Sequence, residues 1–507
     1  MQARAYQVQA LDTIYDKWER FQRIIVVMAT GLGKTVVFAK IAAHESRCGN
    51  RILILCQREE LIAQSLRTID ATSGIPCSIE KAQDRAADTS IVVASVQSMS
   101  NHERLARFKR DAFNVIICDE AHHIVSPTHK RIVEYFNDAR LIGFTATGFR
   151  ADKKALSEVF EIVAYEYGLK AAIKDKWLVP IVARTIPVQI DISKVKLSHG
   201  DFKPGELHDA LTPYLSACAD ELKAINRKTL VFLPLVKTSK KFASLLQERG
   251  IKACHVSGES RDRTEIVRRF RDNEIDILCN AMLLTEGFDC PDISCIVVLR
   301  PTKSTPLYCQ MVGRGTRPVK GKDNLLLPDF LWNVERHDLC RPADLYAPTP
   351  EIRASMVKQI TSSQDEFPLD IAEENALQQV RHDREKTLAR YIAANKNRKA
   401  KTLDPVWWEL LACDQSSTYE PSFLWEREPA THAQKEFIDR SGFDPTSFTR
   451  GYAAYIIDSL MERRRDGLAT PKQCKLLQRF GYKKVETMDY DKAMRIIDRI
   501  RKKGWKR

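Results

Sequence analysis

Two short stretches carry residue types that together could handle a phosphate anhydride. The first runs from Met28 to Thr35, where Thr30, Gly31, Leu32, Gly33, Lys34 and Thr35 follow an apolar β-branched run and precede an amphipathic one. A loop in that place presents successive backbone N–H groups at the start of a helix, where a phosphate anion is favoured. Gly31 and Gly33 let the backbone come close, the Lys34 ammonium can reach the β and γ phosphates, and the Thr35 hydroxyl suits Mg²⁺. The general pattern opens with a further glycine, and here Met28 stands in its place. The second stretch is Asp119, Glu120, Ala121 and His122, directly after the apolar run Val115 to Cys118. A carboxylate at a strand's C-terminal end beside a phosphate loop can hold Mg²⁺ through water, which is the place of Asp119, and Glu120 can then polarise an attacking water. Each stretch alone is weak. The combination points to hydrolysis of a nucleoside triphosphate such as ATP, with Mg²⁺.

Such residues must be aimed by strands. From Arg23 to about Phe330 short β-branched runs alternate with amphipathic stretches, among them Ile24 to Val27, Ile52 to Leu55, Ile91 to Ala94, Val115 to Cys118, Leu230 to Leu233, Asp276 to Cys279 and Cys295 to Leu299. Runs of this kind read as buried parallel strands with helices between them, an α/β protein. Between Tyr165 and Ala217 the alternation breaks, with Pro180, Pro187, Pro204 and Pro213 interrupting any long element. The expected division is a first domain over 1–165, a linker over 166–217, a second domain over 218–345, a helical connector over 346–429 and a repeat over 430–507.

Further motifs follow in order, and the set resembles the helicases and translocases of superfamily 2 with a DEAH-type box. Arg4, Tyr6 and Gln7 look like the family's adenine-recognition segment, which makes Gln7 the adenine reader with Tyr6 packing nearby. Arg58 to Leu61 with Gln64, and Ser95 with Gln97, look like first-domain motifs that hold the nucleic-acid backbone. Thr145 and Thr147 resemble the motif coupling the ATP site to the strand, with Gly148 where a proline is usual. In the second domain Thr285 to Asp289 and Gln310 to Arg317 complete the set. The resemblance puts Arg314 and Arg317 across a domain cleft from the triphosphate, Gln310 on its γ side, and Gly287 and Asp289 at the interface. A cation delivered from another domain offsets charge spreading over the γ-phosphoryl oxygens, an effect worth about 10³ to 10⁵ in rate for arginine fingers elsewhere.

The finer resemblance, through Arg300 to Ser304, Tyr308 and Gln310, is to RadD-like bacterial and phage helicases and the helicase subunits of type I and type III restriction systems. It implies two tandem RecA-like parallel-sheet domains followed by a mostly α-helical extension. It also implies DNA, single-stranded or as a forked or branched duplex, as the track, and a role in repair, recombination or phage replication. An RNA-dependent motor and the motor half of a restriction or defence complex stay open as alternatives. RadD proteins resemble zinc-binding proteins toward their C-termini. Here the last third holds only Cys340, Cys413 and Cys474, so no zinc site is carried over.

Composition fits this picture. The chain has 507 residues, 44% hydrophobic and 29% charged, which excludes overall disorder and suits two or three domains. No run of eighteen apolar residues and no signal-peptide pattern occurs, and the thirteen cysteines form no CxxC pair. A cytoplasmic setting, in a bacterial cell or phage-infected host, with reduced thiols and no membrane contact is expected. Leu369 to Asp404 lacks Gly and Pro and predicts one long helix or two stacked end to end.

The net charge of +14 is uneven, because Glu462 to Arg507 holds 16 basic and 6 acidic residues while Leu403 to Met461 holds 4 and 10. The tail contains an internal repeat. Ala430, Thr431, Gln434, Gly442 and Phe443 recur as Ala469, Thr470, Gln473, Gly481 and Tyr482, and each copy reads as a helical hairpin opened by a capping box and stopped by a left-handed glycine. Arg463, Arg464, Arg465, Lys472, Lys475, Lys483, Lys484, Arg501, Lys502, Lys503, Lys506 and Arg507 are candidate phosphate ligands, with partner-protein docking as the alternative. Trp407, Trp408 and Trp425 read as core residues first and as base-stacking residues second.

Overall fold

The structure is a computed structural model that describes residues 3–57, 59–146, 156–198, 200–258, 260, 262–281, 290–333, 339–363, 365–394, 424–446, 448–482, 485–502 and 504. By packing, the chain divides into two units, one of residues 1–347 with 356–373 and one of residues 348–355 with 374–507.

The first unit contains two largely parallel sheets. Strands β1 (Arg23–Met28), β2 (Ile52–Cys56), β3 (Cys77–Glu80), β4 (Ile91–Ser95), β5 (Val115–Cys118), β6 (Arg140–Thr145) and β7 (Ile162–Tyr167) form the first, in the order β3-β4-β2-β5-β6-β1-β7. The apolar runs of β2, β4 and β5 are buried at every position, as they must be when helices cover both faces. One core gathers around Ile24, Val26, Phe38 and Phe144, and another around Ile25, Leu53, Ile116 and Phe136. Because β6 lies between β5 and β1, the loops after β5 and β1 emerge close together at one edge of the sheet. That edge, beyond the carboxyl ends of the strands, is where open α/β sheets place ligands.

The second sheet contains β8 (Ile181–Asp191), and a separate two-stranded ribbon follows it as β9 (Leu197–Ser198) and β10 (Asp201–Phe202). The sheet continues with β11 (Thr229–Phe232), β12 (Ala253–Val256), β13 (Ile277–Asn280), β14 (Cys295–Val298), β15 (Leu325–Asn333) and β16 (Phe367–Pro368), in the order β12-β13-β11-β14-β15-β8-β16. Its neighbours pair in parallel except β16 on β8.

The segment expected to be a linker, 166–217, is mostly domain structure. Ala172 and Leu178 join the first core, β8 is a full strand of the second sheet, and Leu207, Leu211 and Leu215 join the second core. Three of its prolines sit where proline is tolerated. Pro187 lies beside the bulge at which β8 shifts register against β15, Pro204 opens the helix Pro204–Leu211, and Pro213 lies in the 3₁₀ turn Thr212–Tyr214.

The second unit carries the repeat as two helical hairpins, His432–Ser441 with Arg450–Arg465 and Pro471–Arg479 with Tyr490–Lys502. Thr431 and Thr470 accept from the backbone N–H of Gln434 and Gln473, and both capping boxes are complete. Gly442 and Gly481 take positive φ of 101° and 88°, as a left-handed helix stop requires. The aromatic contact expected after each glycine differs between copies, since Phe443 is buried and Tyr482 is 40% exposed. Leu369–Ala394 is one continuous helix, while Trp407, Trp408 and Cys413 fall outside the described residues. Among the described residues no helix is long and apolar enough to cross a membrane.

Candidate nucleotide site and its interdomain cleft

The loop after β1 is built on two left-handed glycines. Gly31 has φ 92°, and Gly33, with φ 74°, precedes the helix Lys34–Arg47 and turns the chain into it. The loop is also held from outside. Tyr6 Oη and Gln7 Nε2 donate to the Leu32 carbonyl at 2.9 and 3.0 Å, and Gln7 Oε1 accepts from the Arg4 N–H at 2.9 Å. Tyr6 stacks on Tyr167 at 5.0 Å, and the Arg4 guanidinium lies 5.2 Å over the Trp177 ring. Gln7 is buried, its Nε2 bracing the phosphate loop and its Oε1 capping the start of its own helix, Ala5–Trp18. Arg4 is the member of that segment that lines the cleft.

The acidic pair follows β5. Asp119 and Glu120 are both buried, Glu120 N–H donates to Asp119 Oδ1 at 3.0 Å, and Glu120 adopts φ 51°, an uncommon conformation for a residue with a side chain. Strain of this kind is worth about 1 to 3 kcal/mol and collects where a side chain must be aimed. Burial pushes the Glu120 carboxyl up, but Lys34, His122, Gln310 and Arg314 together hold it below the ordinary value, so it stays ionised. His122 Nδ1 lies 3.4 Å from Glu120 Oε2, and burial drives this imidazole down to about 4 despite that carboxylate. At neutral pH His122 is uncharged.

A cleft of about 790 Å³ joins these groups. Thr30, Gly31, Lys34, Thr35, Asp119 and Glu120 line one wall, and Arg314 and Arg317 line the other. The two domains touch closely here. A Cβ on Gly313 would lie 2.4 Å from Thr30 Cβ, and one on Gly31 would lie 3.5 Å from Arg317 Cγ. Lys34 Nζ donates to the Met28 carbonyl at 3.4 Å, a weak bond that a phosphate oxygen could replace. Among the described residues Thr30 Oγ1, Glu120 Oε2 and Gln310 Nε2 are buried without a hydrogen-bond partner, although Gln310 is near enough to Glu120 to influence its charge. Orphaned polar atoms around one cleft fit a polar ligand that would complete them.

Thr35 and Asp119 both face the cleft, one hydroxyl and one carboxylate. Among the described residues no group of three or more His, Cys, Asp or Glu is arranged to hold a metal. The pair fits Mg²⁺, which keeps several waters and takes only one or two protein ligands beside substrate phosphates.

The remaining motif residues are spread more widely. Leu61 and Gln64, expected to hold the nucleic-acid backbone, line this cleft, with Gln64 Nε2 3.5 Å from Thr35 Oγ1. Gln97 is exposed just beyond β4, and Thr145 is buried at the end of β6. Arg58, Thr147, Gly148, Thr285, Gly287 and Asp289 lie outside the described residues. Sequence reasoning misses Arg67 and Arg271 as cleft residues. For Arg67 a signal exists, because Leu61, Gln64, Thr68 and Ala71 recur at helical spacing with it along Glu59–Ser73. Arg271 belongs to no motif and reaches the cleft from the end of the helix Arg263–Arg271.

In the second unit Arg463 is withdrawn from the expected set of phosphate ligands. It is 8% exposed and its guanidinium donates to the Ala469 carbonyl at 2.8 and 3.2 Å, joining one repeat to the next. Arg464, Arg465, Lys472, Lys475, Arg501 and Lys502 are exposed, while Lys483, Lys484, Lys503, Lys506 and Arg507 lie outside the described residues. Trp425 carries the Arg450 guanidinium 5.5 Å above its ring.

Comparison with known proteins agrees with the geometry. Residues 1–150 match the family model described as type III restriction enzyme, res subunit, and residues 210–318 match the helicase conserved C-terminal domain. The chain is 32% identical over 360 residues to the protein named ATP-dependent helicase IRC3 from Saccharomyces cerevisiae, covering 65% of this chain and 51% of that one. It is 31% identical over 314 residues to a 51.5 kDa protein of a Lactococcus phage, covering 61% of this chain and 66% of that one. The chain thus spans about half the length of the first of these relatives. Among solved structures, an HsdR-subunit fragment of a type I restriction enzyme from Vibrio vulnificus aligns with a TM-score of 0.51 at 28% identity, covering 65% of this chain and 64% of that one. The restriction-modification enzyme LlaBIII, solved bound to DNA, aligns with a TM-score of 0.54 at 16% identity over 99% of this chain and 42% of that one, a likeness of fold alone. With residues 1–150 matched by a restriction res-subunit model, residues 210–318 by a helicase C-terminal model, and the cleft lined from both, the chain belongs to the superfamily 2 helicases, of the restriction-subunit type.

Proposed function

We propose that this chain is a DNA-dependent ATPase that couples hydrolysis in the interdomain cleft to movement along DNA. The observation that carries the reading is the convergence of Lys34, Thr35, Asp119 and Glu120 from one sheet with Arg314 and Arg317 from the other on a single cleft. Lys34 exchanges the Met28 carbonyl for the β and γ phosphates. Mg²⁺, when bound, would neutralise charge on those oxygens, with Thr35 and Asp119 as the residues that would hold it. Glu120, kept ionised by its basic neighbours, orients and deprotonates the attacking water. Arg314 and Arg317 offset the charge that spreads onto the γ-phosphoryl group in the transition state. Because they arrive from the second domain, hydrolysis requires closure, and product release permits opening, so each cycle displaces one domain relative to the other.

DNA is the favoured track because of the restriction-subunit relationship, and the setting that goes with it is the cytoplasm of a bacterial cell or phage-infected host. The exposed cations at the end of the first repeat and along the second, including Arg464, Arg465, Lys475, Arg501 and Lys502, supply a surface for the phosphate backbone. ATPase activity measured with single-stranded, duplex and forked DNA and with RNA tests the reading. Stimulation by DNA is expected, and stimulation by RNA alone would overturn the choice of track. Removing residues 430–507 should lower the slope of log affinity against log salt by about 0.7 to 0.9 for each phosphate that the repeat neutralises. An unchanged slope would remove the repeat from DNA binding.

A further inference from the structure

The chain that follows Arg317 is shaped by a tight turn. Pro318 has no N–H to offer, Val319 is 41% exposed, and the Val319 carbonyl accepts from Lys322 N–H at 3.1 Å. Gly321 sits third in this four-residue turn with φ 86°, the position at which such a turn needs a left-handed residue. The turn sends the Lys322 side chain back toward Arg317. Lys322 Nζ donates to the Arg317 carbonyl at 2.9 Å and to the Pro291 carbonyl at 2.8 Å. Both residues so joined line the cleft. Burial pushes the Lys322 ammonium down to about 8, with Asp292 opposing and Arg317 adding to the fall, so it is mostly protonated at neutral pH. Asp292 is itself fixed, pairing with Lys228 and accepting from Cys290 Sγ at 2.9 Å.

We propose that Lys322 is a positioning residue for hydrolysis, tying the Arg317 main chain to Pro291 so that the Arg317 side chain is presented to the phosphate loop. The approach it sets is close, since Arg317 Cγ and Nε lie 3.5 and 3.8 Å from the point a Gly31 Cβ would occupy. A single ammonium that fixes two carbonyls removes the freedom of a glycine-containing turn at the place where an error is most costly. A misplacement of about 1 Å at a reacting centre costs on the order of 10²-fold in rate. Lys322 has this task only if Arg317 acts in hydrolysis as proposed above.

The test is a double-mutant cycle on the full chain, with kcat and KM for ATP hydrolysis measured at saturating single-stranded DNA and nucleotide affinity measured with a fluorescent ATP analogue. Lys322→Met should lower kcat by roughly 10- to 100-fold and leave nucleotide affinity within about threefold. Lys322→Gln, which keeps an N–H donor, should recover part of the activity, and it also serves if the methionine variant folds poorly. On an Arg317→Ala background, Lys322→Met should cause no further fall, because the residue it positions is gone. A fall of equal size on that background, wild-type kcat in both Lys322 variants, or an effect explained wholly by nucleotide affinity would overturn the proposal. Wild-type kcat in Arg317→Ala itself would instead defeat the underlying assignment of Arg317.

Discussion

Gly313→Ala places one methyl group at the tightest point between the two domains. Gly313 ends the helix Thr305–Gly313, and its new Cβ would meet Thr30 Cβ at 2.4 Å and Cγ2 at 2.7 Å. Carbon atoms rest at about 3.5 to 4.0 Å, so the helix and the phosphate loop must part by about 1.1 to 1.6 Å. Arg314 is the next residue, and Arg317 follows three positions later, so both move with the helix end. A displacement of about 1 Å at a catalytic group costs on the order of 10²-fold, or about 2.7 kcal/mol of transition-state stabilisation. The expected result is a fall in kcat of about two orders of magnitude with little change in nucleotide affinity, read from steady-state ATPase kinetics beside equilibrium binding. Gly250→Ala is the control. It has positive φ, 77°, but its Cβ would meet nothing within 4 Å. It should cost about 1 to 2 kcal/mol of stability and leave kcat unchanged. A Gly313→Ala enzyme with wild-type kcat would show that the close approach has no part in turnover.

Two further outcomes follow from buried groups. Arg463→Ala should destabilise the repeat by about 1 to 3 kcal/mol, since it strips the Ala469 carbonyl of its charged donor, and amide exchange across Pro471–Arg479 should speed up. The salt dependence of DNA binding should not change with it, whereas Arg501→Ala should lower the slope. Burial drives the His129 imidazole down to about 4, with His123 adding to the fall, so the folded chain keeps it neutral. Its contribution to stability is complete above the unfolded value near 6.5 and is lost as pH falls toward about 4, because the unfolded chain binds the proton first. His129→Gln should flatten the stability profile across that window in acid-unfolding measurements.

Much of the cleft is legible in the sequence because its residues are tied to strand ends. A phosphate loop after β1 and acids after β5 meet when β6 alone separates the two strands, and the apolar runs announce those strands. The bracing by Gln7 is not legible, because the same amide can face a base or hold a loop and only the fold shows it bonded to Leu32. Motif position points Gln64 to nucleic acid, and only the fold shows it within 3.5 Å of Thr35. Counting prolines as breaks makes a linker of 166–217, while Pro187 sits at a bulge inside β8. Net charge does not tell Arg463, which bonds a carbonyl between repeats, from Arg464, which is exposed. The Lys322 bridge has no sequence signature, since it depends on a turn returning the chain to Arg317.

If the cleft hydrolyses ATP in response to DNA through the carboxylate of Glu120, that single oxygen-for-nitrogen exchange should stop turnover without emptying the site. The decisive comparison is the ATPase kcat of wild type and Glu120→Gln with and without saturating single-stranded DNA, with nucleotide binding measured in parallel. Hydrolysis should be stimulated by DNA in the wild type and fall at least about 10²-fold in the variant, with binding retained. Equal rates in the two proteins, or a wild type whose hydrolysis ignores DNA, would contradict it.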